Sequence, residues 1–368
     1  MPRLQALTDY LDARSRRWPR DGEPSGVLFI SSGGLGDTIL LAHVMERFMA
    51  LAKDDEPITL LLRRDGAKTA FLMPDRITPL VVDFNRLRKD RAYRRDTARE
   101  LYETNYRLAV TLDYLRHPHL DEFLLGAAAV RETIGMVVRP WAKYEKALNR
   151  NRALFTRQFD SGPLLLDKVV RWARFADWAT GTKQPLPVCR IPDKRLPAPA
   201  VADTSYVMCQ GFSAVKGKQV SPALFAKAFD ALPPDWNIVM TGAPGEDAAN
   251  PEFADLLARP NISYDDDTFE GLVPKLRAAK LALSVDTAFM HLAIAAGTPT
   301  VGLASAAYVD EIVPYADEIT PPNARFVYHD MPCRSCLGDC SLPPEDGRFP
   351  CIARLDGDEI VAAIKSMI

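Results

Sequence analysis

Short buried apolar runs recur along this chain, each followed by a turn and then an amphipathic segment. The rhythm stops once, at a proline-rich stretch, and then restarts. Gly26–Ile30, Ile58–Leu62, Thr78–Val82 and Leu108–Leu112 read as strands, and Thr38–Leu51 carries the apolar spacing of a helix. The interruption is QPLPVCRIPDKRLPAPAVA, from Gln184 to Ala202, where closely spaced prolines stiffen the backbone as an extended linker. Beyond it Tyr206–Cys209, Ile238–Thr241, Leu281–Val285 and Thr300–Leu303 read as strands, and Ser221–Leu232 as a helix opened by Ser-Pro. Strands alternating with helices build parallel, doubly wound sheets. The expected fold class is therefore α/β, with two similar-sized doubly wound βα domains on either side of a linker. The expected division is 1–183, a linker at 184–203, a second domain at 204–350 and a C-terminal helix at 351–368.

Charge is divided along the chain. Residues 1–189 hold 31 Lys and Arg against 24 Asp and Glu, and the remainder 15 against 24, which sum to the net charge of −2. A basic first half suits an anionic partner. Its densest segment, Asn85 to Arg99, reads either as a binding surface or as a solvated helix face, and the few aromatics interleaved with it argue against nucleic acid. No run of about 18 apolar residues appears, as a membrane-crossing helix needs. Leu4–Arg17 reads as an amphipathic helix and the N-terminus carries acids without a continuous apolar core, unlike a secretory signal. The expected location is the cytoplasm.

Three places carry chemistry. SSGGLGD, Ser31 to Asp37, joins a strand to a helix, and Gly33, Gly34 and Gly36 let the backbone turn and a ligand approach. It lacks both the Gly-Lys-Ser/Thr ending of a phosphate loop and the G-x-G-x-x-G spacing. Asp37, at the mouth of the helix, either caps it or takes a proton from a hydroxyl. SVDTAFMHLAIAAGTPTVGL, Ser284 to Leu303, reads as a strand end, a turn capped by Asp286-Thr287 and an apolar helix, with His291 one turn after Thr287. A helix start at the carboxyl end of a parallel sheet favours an anion such as phosphate. Lys216 and Lys218 lie in a loop, where each reads either as a charge that reaches such an anion or as a solvated loop lysine, and Glu246 follows the turn TGAPG, at a ribose-reading position. Finally, Cys333, Cys336, Cys340 and Cys351 cluster with the spacing C-x₂-C-x₃-C-x₁₀-C. In a reducing compartment this reads as a structural Zn or Fe site or as reduced, packed thiols.

These stretches together resemble glycosyltransferase family 9, the heptosyltransferase type that acts in lipopolysaccharide assembly. The resemblance runs from Val27 to Ile368 through VLFISSGGLGDTILLAHVMERF, YRLAVTLDYLRHPHLDEFLLGAAAVRETIGM, GFSAVKGKQVSPALFAKAF, IVMTGAPGEDA, SVDTAFMHLAIAAGTPTVGL and the cysteine tail. It implies a GT-B fold, two Rossmann-like doubly wound domains facing across a cleft, a nucleotide-sugar donor such as ADP-heptose, an anionic or lipid-linked glycan acceptor, and inversion at the anomeric carbon without a catalytic metal. It implies Asp37 as general base, Lys218 on the diphosphate, Glu246 on the nucleoside, and Asp286, Thr287 and His291 in the diphosphate loop. It also implies peripheral work at the inner membrane, and relatives that modify proteins carry a Cys-bound iron. This chain has Ala288 where the family has glycine. That departure keeps open a catalytically silent nucleotide-sugar-binding protein, beside a protein-modifying heptosyltransferase and a GT-B epimerase.

Overall fold

The computed structural model describes Arg20 and residues 22–368 of the chain. The helix expected at Leu4–Arg17 lies outside the described residues. Among the described residues twelve strands fall into two six-stranded sheets, and every strand pair in them is parallel.

Among the described residues, the first compact unit runs to residue 164 and takes in 171–185. Its strands are β1 (Val27–Ser31), β2 (Ile58–Arg63), β3 (Ile77–Val82), β4 (Leu108–Thr111), β5 (Glu132–Met136) and β6 (Arg157–Phe159), in the order β3-β2-β1-β4-β5-β6. β1 and β4 are buried at every position, as strands covered on both faces must be. The segment expected as one helix from Thr38 is two: α1 (Leu35–Ala42) and α2 (Met45–Met49). α1 begins earlier than its pattern suggested, because Gly34 serves as its N-cap, so Gly36 and Asp37 lie inside its first turn.

The second unit comprises residues 165–170 and 186–368. Its strands are β7 (Tyr206–Gln210), β8 (Asn237–Thr241), β9 (Ile262–Asp265), β10 (Leu281–Val285), β11 (Thr300–Ala304) and β12 (Ala324–Tyr328). The order β9-β8-β7-β10-β11-β12 repeats the pattern of the first sheet. In each sheet the strand order reverses between the first strand and the fourth, and open parallel sheets bind ligands at the carboxyl ends flanking that reversal. Two helices frame the second unit's site: α3 (Pro222–Asp230), capped by Ser221 with proline in its first turn, and α4 (Ala288–Ala296), buried from Phe289 to Ala296. Within the proline-rich stretch, Cys189 and Ile191 are buried and donate their amides to Ile319 and Ala295, each at 2.9 Å. Among the described residues, no helix is long and apolar enough to cross a membrane.

Candidate active site

At the reversal point of the first sheet, the loop after β1 meets the loop after β4. Ser32 donates its amide to Asp113 Oδ2 at 2.5 Å and its hydroxyl to the same oxygen at 3.1 Å. The Asp37 carboxylate accepts from the Gly34 amide at 2.9 Å, so it caps α1 from within. Gly33 is needed for close approach: a Cβ built there would stand 2.5 Å from the Cβ of Asp37. Asp37 thus lies half-buried at the carboxyl end of β1, with its carboxylate on the Gly34 amide.

The loop after β4 rests on a buried ion pair, Arg116 to Glu122 at 3.2 Å, with both side chains 1% exposed. Arg116 also donates to the carbonyls of Asp113 and Met136, and Asn151 donates to Glu122. Beside it His117 packs against Tyr144 at 4.5 Å and Trp141 at 5.8 Å between ring centroids. Partial burial lowers the His117 pKa to about 4, helped by the charges of His119, Lys143 and Arg88. Asp113 was missed in the sequence, although a carboxylate directly after a buried strand at a reversal point was signal enough.

At the reversal point of the second sheet, the loop after β7 meets the turn after β10. Lys218 Nζ donates to Asp286 Oδ2 at 2.9 Å and lies 4.2 Å over the Tyr308 ring. Lys216 turns away to Asn250 and Glu252. The structure therefore separates the two lysines that loop position alone left as alternatives: only Lys218 is drawn to Asp286. Thr287 is the N-cap of α4, but no side chain caps the helix: Asp286 is engaged by Lys218, and the Thr287 hydroxyl lies 3.4 Å from that of Ser284. The expected Asp-Thr cap is absent, and the α4 start keeps its amide dipoles for an anion. Ala288 is the first residue of α4, so its backbone is helical and glycine is not required there.

His291 is 4% exposed, and its Nδ1 lies 2.6 Å from the Tyr315 hydroxyl with the two rings stacked. Burial pushes the Tyr315 phenol well up. Glu246 Oε2 accepts the Ala243 amide at 2.8 Å and so braces the turn after β8, while the Tyr264 hydroxyl donates to the Ala243 carbonyl. Lys218, Asp286, Thr287 and His291 gather around one helix start; Glu246 stands on the neighbouring strand's loop.

The four clustered cysteines are free thiols that line one small apolar pocket with Ala306, Ala307 and Phe349. Among the described residues no three His, Cys, Asp or Glu side chains are placed to hold a metal ion. The Zn or Fe site read from the spacing is not formed: the Cys340 thiol turns to the Leu342 carbonyl, and Cys351 sits on a separate helical turn, Pro350–Ala353.

With this geometry in place, comparison with known proteins is informative. The family model of glycosyltransferase family 9 (heptosyltransferase) matches residues 138–336, more than half of the chain. This chain belongs to that family and is a glycosyltransferase of the GT-B fold. A glycosyltransferase family 9 structure from Veillonella parvula DSM 2008 is 14% identical, with a TM-score of 0.68, covering 94% of this chain and 97% of that one. E. coli heptosyltransferase WaaC with ADP is 14% identical, with a TM-score of 0.65 over 93% of this chain and 99% of that one. E. coli ADP-heptose lps heptosyltransferase II is 14% identical, with a TM-score of 0.62 over 93% and 98% respectively. A search of curated protein sequences finds no match.

Proposed function

We propose that this protein is an inverting, metal-independent transferase that moves heptose from ADP-heptose to a hydroxyl of a saccharide or lipid-linked glycan, as in lipopolysaccharide core assembly. The observation that carries the reading is the Lys218–Asp286 pair at the uncapped start of α4, at the reversal point of the second sheet. Similar folds bound to ADP, and a relative named for ADP-heptose and lps, support the choice of donor and pathway.

The leaving nucleoside diphosphate gains negative charge as the glycosidic bond breaks. Lys218, the Thr287 hydroxyl and the first amides of α4 are fixed dipoles and charge for that oxygen. Asp286 holds the ammonium in place, and the pairing offsets the repulsion its own carboxylate would exert on a diphosphate. Asp37 takes the proton of the acceptor hydroxyl while the acceptor oxygen bonds the anomeric carbon and the diphosphate oxygen departs. Attack opposite the leaving group inverts the configuration. The helical backbone at Ala288 favours an active enzyme over a silent binder, because a methyl group there strains nothing.

The test is a thermal-shift screen with ADP-, UDP-, GDP- and CDP-sugars, followed by transfer assays. The expected outcome is stabilisation by ADP-heptose, which binds only the folded state. Asp37→Asn should keep that shift and lose transfer. Binding without turnover on any glycan acceptor would establish the silent reading; turnover on a protein alone would change the acceptor class.

A further inference from the structure

The cysteine segment is built into the support of Lys218 from two sides. On one side Phe349 donates its amide to the Gly217 carbonyl at 2.9 Å, and its ring fills the space where a Gly217 side chain would stand. Arg348 donates to the Gln219 carbonyl at 3.1 Å. On the other side Ser335 and Leu337 donate their amides to Ala306 and Ala307, each at 2.8 Å, and the Ser335 hydroxyl bonds the Val309 carbonyl. Gly338 lies so close to the Tyr308 hydroxyl that a Cβ there would stand 2.9 Å from it. Residues 217–219 carry Lys218, and Tyr308 is the ring beneath its ammonium. The segment that bears the thiols therefore grips both the backbone of the lysine and the aromatic face against which it rests.

The backbone of this segment is also under tension, with Ser335 and Leu337 at φ of 63° and 59°. Cys333, Cys336 and Cys340 are half-buried and Cys351 is buried, and all four line one small pocket. No three of them are placed to share one metal ion as they stand.

We propose that these thiols are a peroxide-reactive site whose oxidation state sets the position of Lys218 and hence the affinity of the second unit for a nucleoside diphosphate. The proposal rests on the reading that Lys218 holds the diphosphate. In the first step a loop thiolate, Cys336 or Cys340, attacks hydrogen peroxide; an S–O bond forms, the O–O bond breaks and water leaves after taking up a proton. In the second, Cys351, whose thiol burial keeps protonated, gives up that proton as its sulfur attacks the sulfenic sulfur; the S–S bond forms, the S–O bond breaks, and the departing hydroxide takes the proton and leaves as a second water. Two thiols lose two electrons and one peroxide gains them. The disulfide draws the loop toward the helical turn that follows Phe349, and Phe349 carries the shift to Gly217.

The experiment compares the full chain reduced with dithiothreitol and treated with hydrogen peroxide. ADP is the probe, read by calorimetry, and peptide mass mapping locates any disulfide. The expected result is a disulfide within the cluster, ADP binding weakened about tenfold, within the usual range of site coupling, and full recovery on reduction. Cys336→Ser with Cys340→Ser, which removes both candidate attacking thiols, should bind ADP normally when reduced and keep that affinity in peroxide; Cys351→Ser, which removes the resolving thiol, serves if the pair fails to fold. Hydrogen exchange over residues 213–221 reads the clamp without any ligand. If oxidation changes that exchange but reduced protein does not bind ADP, the donor reading fails and the clamp stands. A cluster disulfide with unchanged exchange and unchanged ADP affinity overturns the proposal. So does stoichiometric bound iron or zinc, or a cluster that stays reduced in peroxide.

Discussion

His291 and Lys218 show how far single residues can be read. The position of KGK placed both lysines near an anion site, and only the family resemblance singled out Lys218. The physical difference between them lies in the fold, where Asn250 and Glu252 draw Lys216 away while Asp286 draws Lys218 in. His291 was legible as a partner of Thr287, but its contact with Tyr315, 24 residues further on, left no local pattern. That contact fixes chemistry. Tyr315 keeps its proton through neutral pH, because burial pushes its pKa up. A hydroxyl that donates to Nδ1 leaves the imidazole proton on Nε2. Tyr315→Phe should redistribute the ring proton, seen in the ¹⁵N shifts of His291. It should also weaken ADP about fivefold, the worth of one neutral hydrogen bond near 1 kcal/mol. Identical ring shifts in the variant would show that Tyr315 is not the donor. Lys218→Met should cost more, about 100-fold in transfer rate or near 2.7 kcal/mol, as for other fixed stabilisers of developing charge. Steady-state kinetics with saturating acceptor checks this.

Elements follow a different rule: those with a local signature were readable, and those set by pairing were not. β1, β4, β10 and β11 are apolar runs buried on both faces, and each was legible. β6 (RQF) and β9 (ISYD) are short and largely polar edge strands that exist because a neighbour offers backbone partners. β5 (ETIGM) and β12 (ARFVY) were missed because charged residues, threonine or glycine break up their apolar positions, although β5 lies inside its sheet and is mostly buried. The glycine loop was legible as a loop, but not the early start of α1, since a glycine N-cap carries no side-chain signal. Two substitutions separate the roles of these elements. Gly33→Ala must push the loop off Asp37, so it should lower turnover about 100-fold, as small misplacements of a reacting group do, with ADP affinity unchanged. Equal losses in both would mean that the loop acts only on folding. Ala288→Gly should give no gain in activity and lose about 0.5 kcal/mol of stability, because glycine is the poorer helix residue. A rise in turnover on that change would show that the methyl group does obstruct the diphosphate.

At the scale of the whole molecule, the charge asymmetry and the response to acid are both sums over many groups. The basic segment that stood out in the sequence is largely balanced locally, by Arg86 with Asp90, Arg95 with Asp96 and Arg99 with Glu103, while Arg94 is buried over Phe123. Composition registered the charge; only the fold revealed its partners. The acid response contains opposing contributions. Burial raises the pKa values of Asp121, Glu122 and Asp167, so these carboxyls lend stability at low pH that is lost as pH rises through their folded values. Glu56, held to about 2 by Arg107, acts oppositely, and its contribution is lost as pH falls from 4.5 toward 2. His117 also acts oppositely, in a higher window. The unfolded chain binds its proton near 6.5 and the folded one only near 4, so its contribution is complete above 6.5 and is lost as pH falls through 4. The groups around it fit a neutral ring: Lys143 and Arg88 repel a charge there, and Nδ1 accepts the amide of His119, while the His117 amide goes to Asp121. His117→Asn keeps an acceptor and removes the titration. Any packing lost with the ring gives the variant a stability deficit at pH 7.5, and that deficit should shrink steadily toward pH 4.5, where the wild type is penalised and the variant is not. Urea midpoints of both proteins across that range measure the difference, and the carboxyl contributions cancel because the two share them. A deficit that stays constant with pH would mean that His117 titrates normally in the folded protein.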